Sequence, residues 1–269
     1  MAEIVGGFAC SHVLMSSQGV EDRARRVTEG MMEIGRRIRA CDPDLILIVT
    51  NDHMFNFNLN IQAPFVIGTA DSYTPFGDLD IPREPRPGHR AFAEGFLRYA
   101  AQADFDLARA EDIRPDHGVS VPLLFADPQR AIPVAPLYLN LLMNPMPSAE
   151  RCWRLGETLR RYVAQDCTVA RRIVVLAAGG LSHWVGHETT PVNEAWDRQF
   201  LADMSAGRFS RWVGASQTDI EEAAGNGGLE IIHWLFMAAA TGAAGAEVIF
   251  YEPMAEWMTG MGGIAARRN

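Results

Sequence analysis

Two short apolar runs, Leu45-Ile-Leu-Ile-Val-Thr50 and Ile173-Val-Val-Leu-Ala-Ala178, constrain the fold of this 269-residue chain more than any other feature. A strand with one wet face alternates apolar and polar residues. An unbroken apolar run of this length reads as a strand buried on both faces, which requires helices on both sides of the sheet. Those helices are visible in the pattern. Val27, Met31, Ile34 and Ile38 form an apolar stripe opposite Arg25, Arg36 and Arg39. A second helix is expected after Pro87-Gly88, with Phe92, Phe96 and Tyr99 on one side. A third follows an N-cap at Ser148 and carries Leu155, Leu159 and Tyr162.

Ile4 to Cys10 reads as the first strand, and further strands are expected over Phe105–Arg109, Ala131–Leu139 (despite its two prolines) and Glu247–Tyr251. Helical patterns cover Asn193–Met204, Thr218–Ala224 and Leu229–Ala240. This alternation predicts an α/β fold: a single domain over 1–269, with a mixed, largely parallel sheet flanked by helices. The Pro- and Gly-rich stretch Thr74–Gly88 reads as a long functional loop or lid.

Composition removes several functions. The 24 basic and 33 acidic residues sum to −9, which argues against nucleic acid or an anionic membrane as the main partner. Every basic residue is arginine. Without lysine there is no Schiff-base lysine, phosphate-loop lysine or lysine general base. Cys10, Cys41, Cys152 and Cys167 are scattered without a Cys-x-x-Cys pair, as expected of reduced thiols rather than a disulfide framework. With no signal-peptide pattern and no apolar run near the ~20 residues of a membrane span, a soluble cytoplasmic protein is expected.

Four histidines occupy comparable places. His12 follows the first strand, His53 the second and His183 the Ile173 strand, while His117 comes after the Phe105 strand. Ligands of open α/β sheets bind beyond the carboxyl ends of the strands, so these four side chains are expected to converge. Each also has a plainer reading as a loop or cap residue, and His117 could cap a helix starting near Val119. His89 reads as a solvated residue at a helix start, whereas His187 and His233 are ambiguous. Glu230, at the start of an apolar helix, is the best carboxylate to join the histidines, with a helix-dipole partner as the alternative. Two histidines and one carboxylate with open positions opposite form the facial arrangement of non-haem Fe(II) oxygenases.

Competing motifs are weak. There is no Gly-x-Gly-x-x-Gly after the first strand. Ser182 does not sit in Gly-x-Ser-x-Gly, and Gly186 and Pro191 make a His183/His187 zinc helix poor.

Taken in order, several segments resemble the class III extradiol catechol dioxygenases, the family of protocatechuate 4,5-dioxygenase β subunits and 2,3-dihydroxyphenylpropionate 1,2-dioxygenases. They are Ser11-His12, Asn51-Asp-His53, Asp116-His-Gly-Val-Ser-Val-Pro-Leu123, Gly179-Gly-Leu-Ser-His183, Pro191–Phe200, Leu229-Glu-Ile231 and Glu256-Trp257. The resemblance implies that His12, His53 and Glu230 hold Fe(II), that His183 is the acid/base residue beside the substrate, and that His117 is a second catalytic or substrate-orienting histidine. It implies a catechol substrate, carboxylated in the closest branch, opened with dioxygen to a semialdehyde or keto acid. It further implies a homo-oligomer, with a separate small subunit as an option.

One departure lies between His183 and Pro191, where this chain is shorter than the dihydroxyphenylpropionate branch, so the specific substrate does not carry over. Phe8, Met15, Phe55 and Trp184 are candidates for pocket walls, with core packing as the plainer reading. Two alternatives stay open: a zinc-dependent hydrolase on the same scaffold, and a non-catalytic dioxygenase subunit. The full set of four histidines and Glu230 argues against an idle site.

Overall fold

A computed structural model describes residues 1–57, 61–185 and 192–268. The chain opens with β1 (Glu3–Cys10), α1 (Glu21–Ala40) and β2 (Leu45–Thr50), followed by β3 (Phe65–Gly68) and the short β4 (Ser72–Tyr73) and β5 (Arg86–Pro87). Next come α2 (Arg90–Gln102), β6 (Ala108–Ala110), α3 (His117–Ala126), β7 (Val134–Leu139), α4 (Ala149–Gln165) and β8 (Arg172–Ala178). Helices α5 (Glu194–Ser205), α6 (Phe209–Val213), α7 (Gln217–Ala224) and α8 (Ile231–Thr241) precede β9 (Gly245–Met254) and β10 (Thr259–Arg267).

Eight strands form one sheet in the order β6-β3-β7-β2-β8-β1-β10-β9. The central four, β7, β2, β8 and β1, are parallel. The flanks turn antiparallel, where β3 meets β7 and where β10 meets β1 and β9. The apolar runs are buried on both faces as expected. Leu45, Leu47 and Val49 pack in one core with α2, α4 and α8, while Ile46 and Ile48 face the other with α1 and α3. The α1 stripe of Val27, Met31, Ile34 and Ile38 is fully buried against that second face. Ser148 caps α4, its hydroxyl accepting from Arg151 N.

Two differences from the sequence reading have physical causes, and one expectation, a strand despite its prolines, is met. β10 gives no propensity signal, because Gly260, Gly262 and Gly263 dilute its apolar pattern; its neighbours on both sides complete it. Pro136 sits inside β7, just beyond the register that β7 shares with β3 (Leu139, Tyr138 and Leu137), so a missing N–H is tolerated there. The strand expected over Phe105–Arg109 is only Ala108–Ala110 and runs parallel to β3, hence opposite to the central strands. His117 is therefore not carried to the site by a parallel strand. It arrives as the first residue of α3.

Among the described residues, no helix is long and apolar enough to cross a membrane.

Candidate active site

His12, His53 and His183 project just beyond the carboxyl ends of β1, β2 and β8, and Glu230 stands immediately before α8. With His117 from α3 they form one cluster. The Glu230 carboxylate is its centre: Oε1 lies 3.3 Å from His53 Nε2, while Oε2 lies 3.9 Å from His12 Nε2 and 3.8 Å from His183 Nε2. The ring of His53 stacks on His117 at 4.1 Å between centroids, and His12 meets both edge-on at 4.9 and 5.2 Å. His12, His53 and His117 also offer ligand atoms within 4.8 Å of one another. Ring proximity alone thus admits His117 as a ligand beside the carboxylate-centred set.

Two glycines make this convergence possible. A Cβ on Gly227 would fall 1.9 Å from His183 Nε2, so only glycine leaves room for that ring. Gly179, at φ 131°, takes a backbone conformation closed to other residues, and a Cβ there would lie 2.7 Å from Glu230. Its neighbour Gly180 donates its N–H to Glu230 Oε2 at 2.7 Å.

Each histidine has a partner that aims it, except one. His53 donates Nδ1–H to Asp116 Oδ2 at 2.9 Å, and its backbone N–H reaches the same oxygen at 2.9 Å. Oδ1 of Asp116 caps α3 at Gly118 N. His117 Nδ1 meets Asp78 Oδ2 at 2.5 Å. His183 donates Nδ1–H to Leu181 O at 2.9 Å, which leaves Nε2 as the free lone pair toward Glu230. Among the described residues, Nδ1 of buried His12 has no partner.

The electrostatics follow from this packing. Burial pushes His12 well below the ordinary imidazole range, against the pull of Glu230, so it is a neutral lone-pair donor. Burial also disfavours a charged His53, but hydrogen bonds to Asp116 and Glu230 outweigh it and raise that imidazole to about 10, so a metal bound at Nε2 would take the place of a proton there. Burial works against an ionised Glu230, but its contacts with the surrounding His12, His53 and His183, including a hydrogen bond with His53, hold it well below the usual carboxylate range. A buried anion among nitrogen donors, beside an unpartnered His12 nitrogen, is the donor chemistry of a divalent transition-metal site. The carboxylate behind His53 is the usual outer support of a metal-bound imidazole.

All five residues singled out from the sequence come together here. The others have separate fates. His89 is not a free surface residue: it is half-buried and caps α2, its Nδ1 accepting from Phe92 N at 3.3 Å. His233 is fully buried on α8, its ring nitrogens without a well-formed hydrogen bond among the described residues, and burial lowers it to about 4. His187 lies outside the described residues. Ser182 is buried, donating to Asp197 Oδ2 and accepting from Asn193 N, so it is no exposed nucleophile. Phe8 belongs to the core and Met15 is exposed, whereas Phe55 packs on Phe76 at 4.3 Å and faces the His117 ring at 6.5 Å. Trp184 packs beside Gly225.

Sequence reasoning did not single out Asp116, Asp78 or Asp197. The Asp-x-Gly cap pattern at Asp116 was a usable signal. For Asp78 and Asp197 no local pattern exists.

A family model described as the catalytic LigB subunit of aromatic ring-opening dioxygenase matches residues 8–262, a span that holds all five clustered residues. The chain belongs to the LigB family. Within it, similar relatives are the 2,3-dihydroxyphenylpropionate/2,3-dihydroxicinnamic acid 1,2-dioxygenases of Klebsiella pneumoniae (strain ATCC 700721 / MGH 78578) and Escherichia coli O81. The first is 26% identical over 303 residues, covering 93% of this chain and 92% of the relative. The second is 27% identical over 302 residues, covering 93% and 95%. The fold is shared with an uncharacterized protein of Escherichia coli K12, JW3007, at a TM-score of 0.63 and 15% identity, covering 97% of this chain and 99% of that one. The LigB chain described here is accordingly an aromatic ring-opening dioxygenase of the extradiol type.

Proposed function

We propose that this enzyme opens a catechol bearing a carboxylated side chain, using Fe(II) held by His12, His53 and Glu230 and both atoms of dioxygen. The observation that carries the ligand set is the Glu230 carboxylate, buried and reached by His12 and His53 from separate strands. The names of the two relatives support a dihydroxyphenylpropionate-like substrate. When bound, ferrous iron would supply the one-electron chemistry that lets a singlet catechol react with triplet dioxygen.

The chain's own residues do the rest. Asp116 fixes the His53 ring so that Nε2 faces Glu230. His183, its Nδ1–H spent on Leu181 O, presents Nε2 to accept a catechol hydroxyl proton and return it at the cleaving bond. His117 borders the same space and orients the substrate ring or takes the second proton. Strands buried on both faces hold three of these groups rigidly, which reduces the reorganisation needed during proton transfer.

Turnover under 18O2 tests this reading. Two labelled oxygens in the ring-opened product are expected; an unlabelled product, with label taken up only in a parallel reaction in H2 18O, would instead indicate a hydrolase.

A further inference from the structure

The loop Thr74–Gly88 has a definite shape whose purpose the ring-cleavage chemistry above leaves unassigned. It is pinned at its base by the β4–β5 pair, by Phe76 N donating to Pro115 O at 2.8 Å, and by buried Arg86, which binds Asp127 at 2.7 Å. Between these anchors, Gly77, Leu79 and Asp80 all take positive φ, at 86°, 48° and 58°. Leu79 and Asp80 adopt this strained conformation without burying Leu79, which is 55% exposed. What the strain delivers is Asp78.

We propose that Asp78 is the positioning residue for His117: its carboxylate fixes the Nδ1–H tautomer and leaves Nε2 as the lone pair that meets the substrate. Asp78 Oδ2 lies 2.5 Å from His117 Nδ1 and also accepts the His117 backbone N–H at 3.2 Å. One oxygen thus holds both the ring and the first peptide of α3, so the ring cannot turn without breaking the loop contact. Both side chains are mostly buried, at 16% and 11% exposure, and among the described residues Oδ1 of Asp78 is buried without a partner. The single Oδ2 contact therefore defines the aim. His53 stacks on a face of the ring, and Nδ1 meets the loop carboxylate, so the tautomer is chosen by the loop rather than by solvent. The consequence for turnover rests on the ring-cleavage reading; the tautomer assignment does not.

The test combines a spectroscopic and a kinetic arm. In 15N-histidine NMR of the protein, metal-free and zinc-loaded, His117 should carry its proton on Nδ1. Asp78→Ala should give a mixture of tautomers and lower kcat for ring cleavage by ~10- to 100-fold, with KM for the catechol little changed. Asp78→Asn should preserve both tautomer and most of kcat, because an amide oxygen at the Oδ2 position accepts the same two N–H groups and the unpartnered Oδ1 position takes the NH2. A wild-type His117 protonated on Nε2 would overturn the proposal even if the alanine variant does not fold. So would an alanine variant with unchanged tautomer and kcat. Should the wild-type iron enzyme open no catechol, the ring-cleavage reading fails, and the NMR arm still decides what Asp78 does.

Discussion

His53 and Asp116 couple the candidate metal centre to the start of a helix. Oδ2 of Asp116 lies 2.9 Å from His53 Nδ1, and Oδ1 of the same carboxylate caps α3 through Gly118 N at 3.0 Å. Burial works against ionising Asp116, but its contacts with His53 hold it below the ordinary carboxylate range. Removing it should therefore do two things at once. Asp116→Ala is expected to weaken metal affinity by ~10- to 100-fold and to lower stability by about 1–2 kcal/mol through the lost cap. Calorimetric metal titration and denaturant unfolding check the two effects separately.

The ligand set is tested by metal content. His12→Ala and Glu230→Gln should purify with little iron after anaerobic reconstitution, whereas His117→Ala should retain it. Iron lost from His117→Ala and kept in Glu230→Gln would make the centre the three-histidine group instead, whose ligand atoms lie within 4.8 Å of one another. Elemental analysis gives the answer.

Gly227 tests the place of His183. Any side chain there collides with Nε2 of that histidine. Gly227→Ala should keep its iron, since the ring displaced is not a proposed ligand, yet lose ~100-fold or more in kcat, the scale of a lost acid/base group. A variant with normal turnover would show that His183 Nε2 is not needed where it stands.

How far these residues were legible depends on what carries them. His12, His53 and His183 follow strands whose apolar runs are unmistakable, so their convergence could be read from sequence order and the rule for parallel sheets. His117 was found with a faulty route, because β6 runs against the central strands and only its register with β3 reveals it. Glu230 was expected in the first turn of a helix and stands just before α8, at the end of a 3-10 turn. Asp78 was invisible: its loop has no period, and its meaning lies in a contact 39 residues away. β10 stayed hidden because pairing with β1 and β9, not propensity, makes it a strand.

Asp197 gives a pH signature. Its carboxyl is buried beneath Ser182 and Tyr251, and burial outweighs their hydrogen bonds to raise it from 3.8 to about 6. Between those values the native state keeps a proton that the unfolded chain has released, so stability is lost as pH rises through the window. At roughly 1.4 kcal/mol per unit, the loss is about 3 kcal/mol. Asp197→Asn should lack this component. The stability difference between wild type and variant, from urea unfolding at intervals between pH 4 and 6.5, should shift against the wild type as pH increases. A flat difference would remove the assignment.

The most direct measurement is ring cleavage itself, followed by absorbance and oxygen uptake with protocatechuate, gallate, 3-(2,3-dihydroxyphenyl)propionate and unsubstituted catechol. The iron-loaded enzyme should form a new visible or near-ultraviolet product band with stoichiometric oxygen uptake, fastest on the carboxyethyl-bearing catechol, and the zinc-loaded enzyme none. No product from any catechol with iron, or equal activity with zinc, would contradict the proposed chemistry.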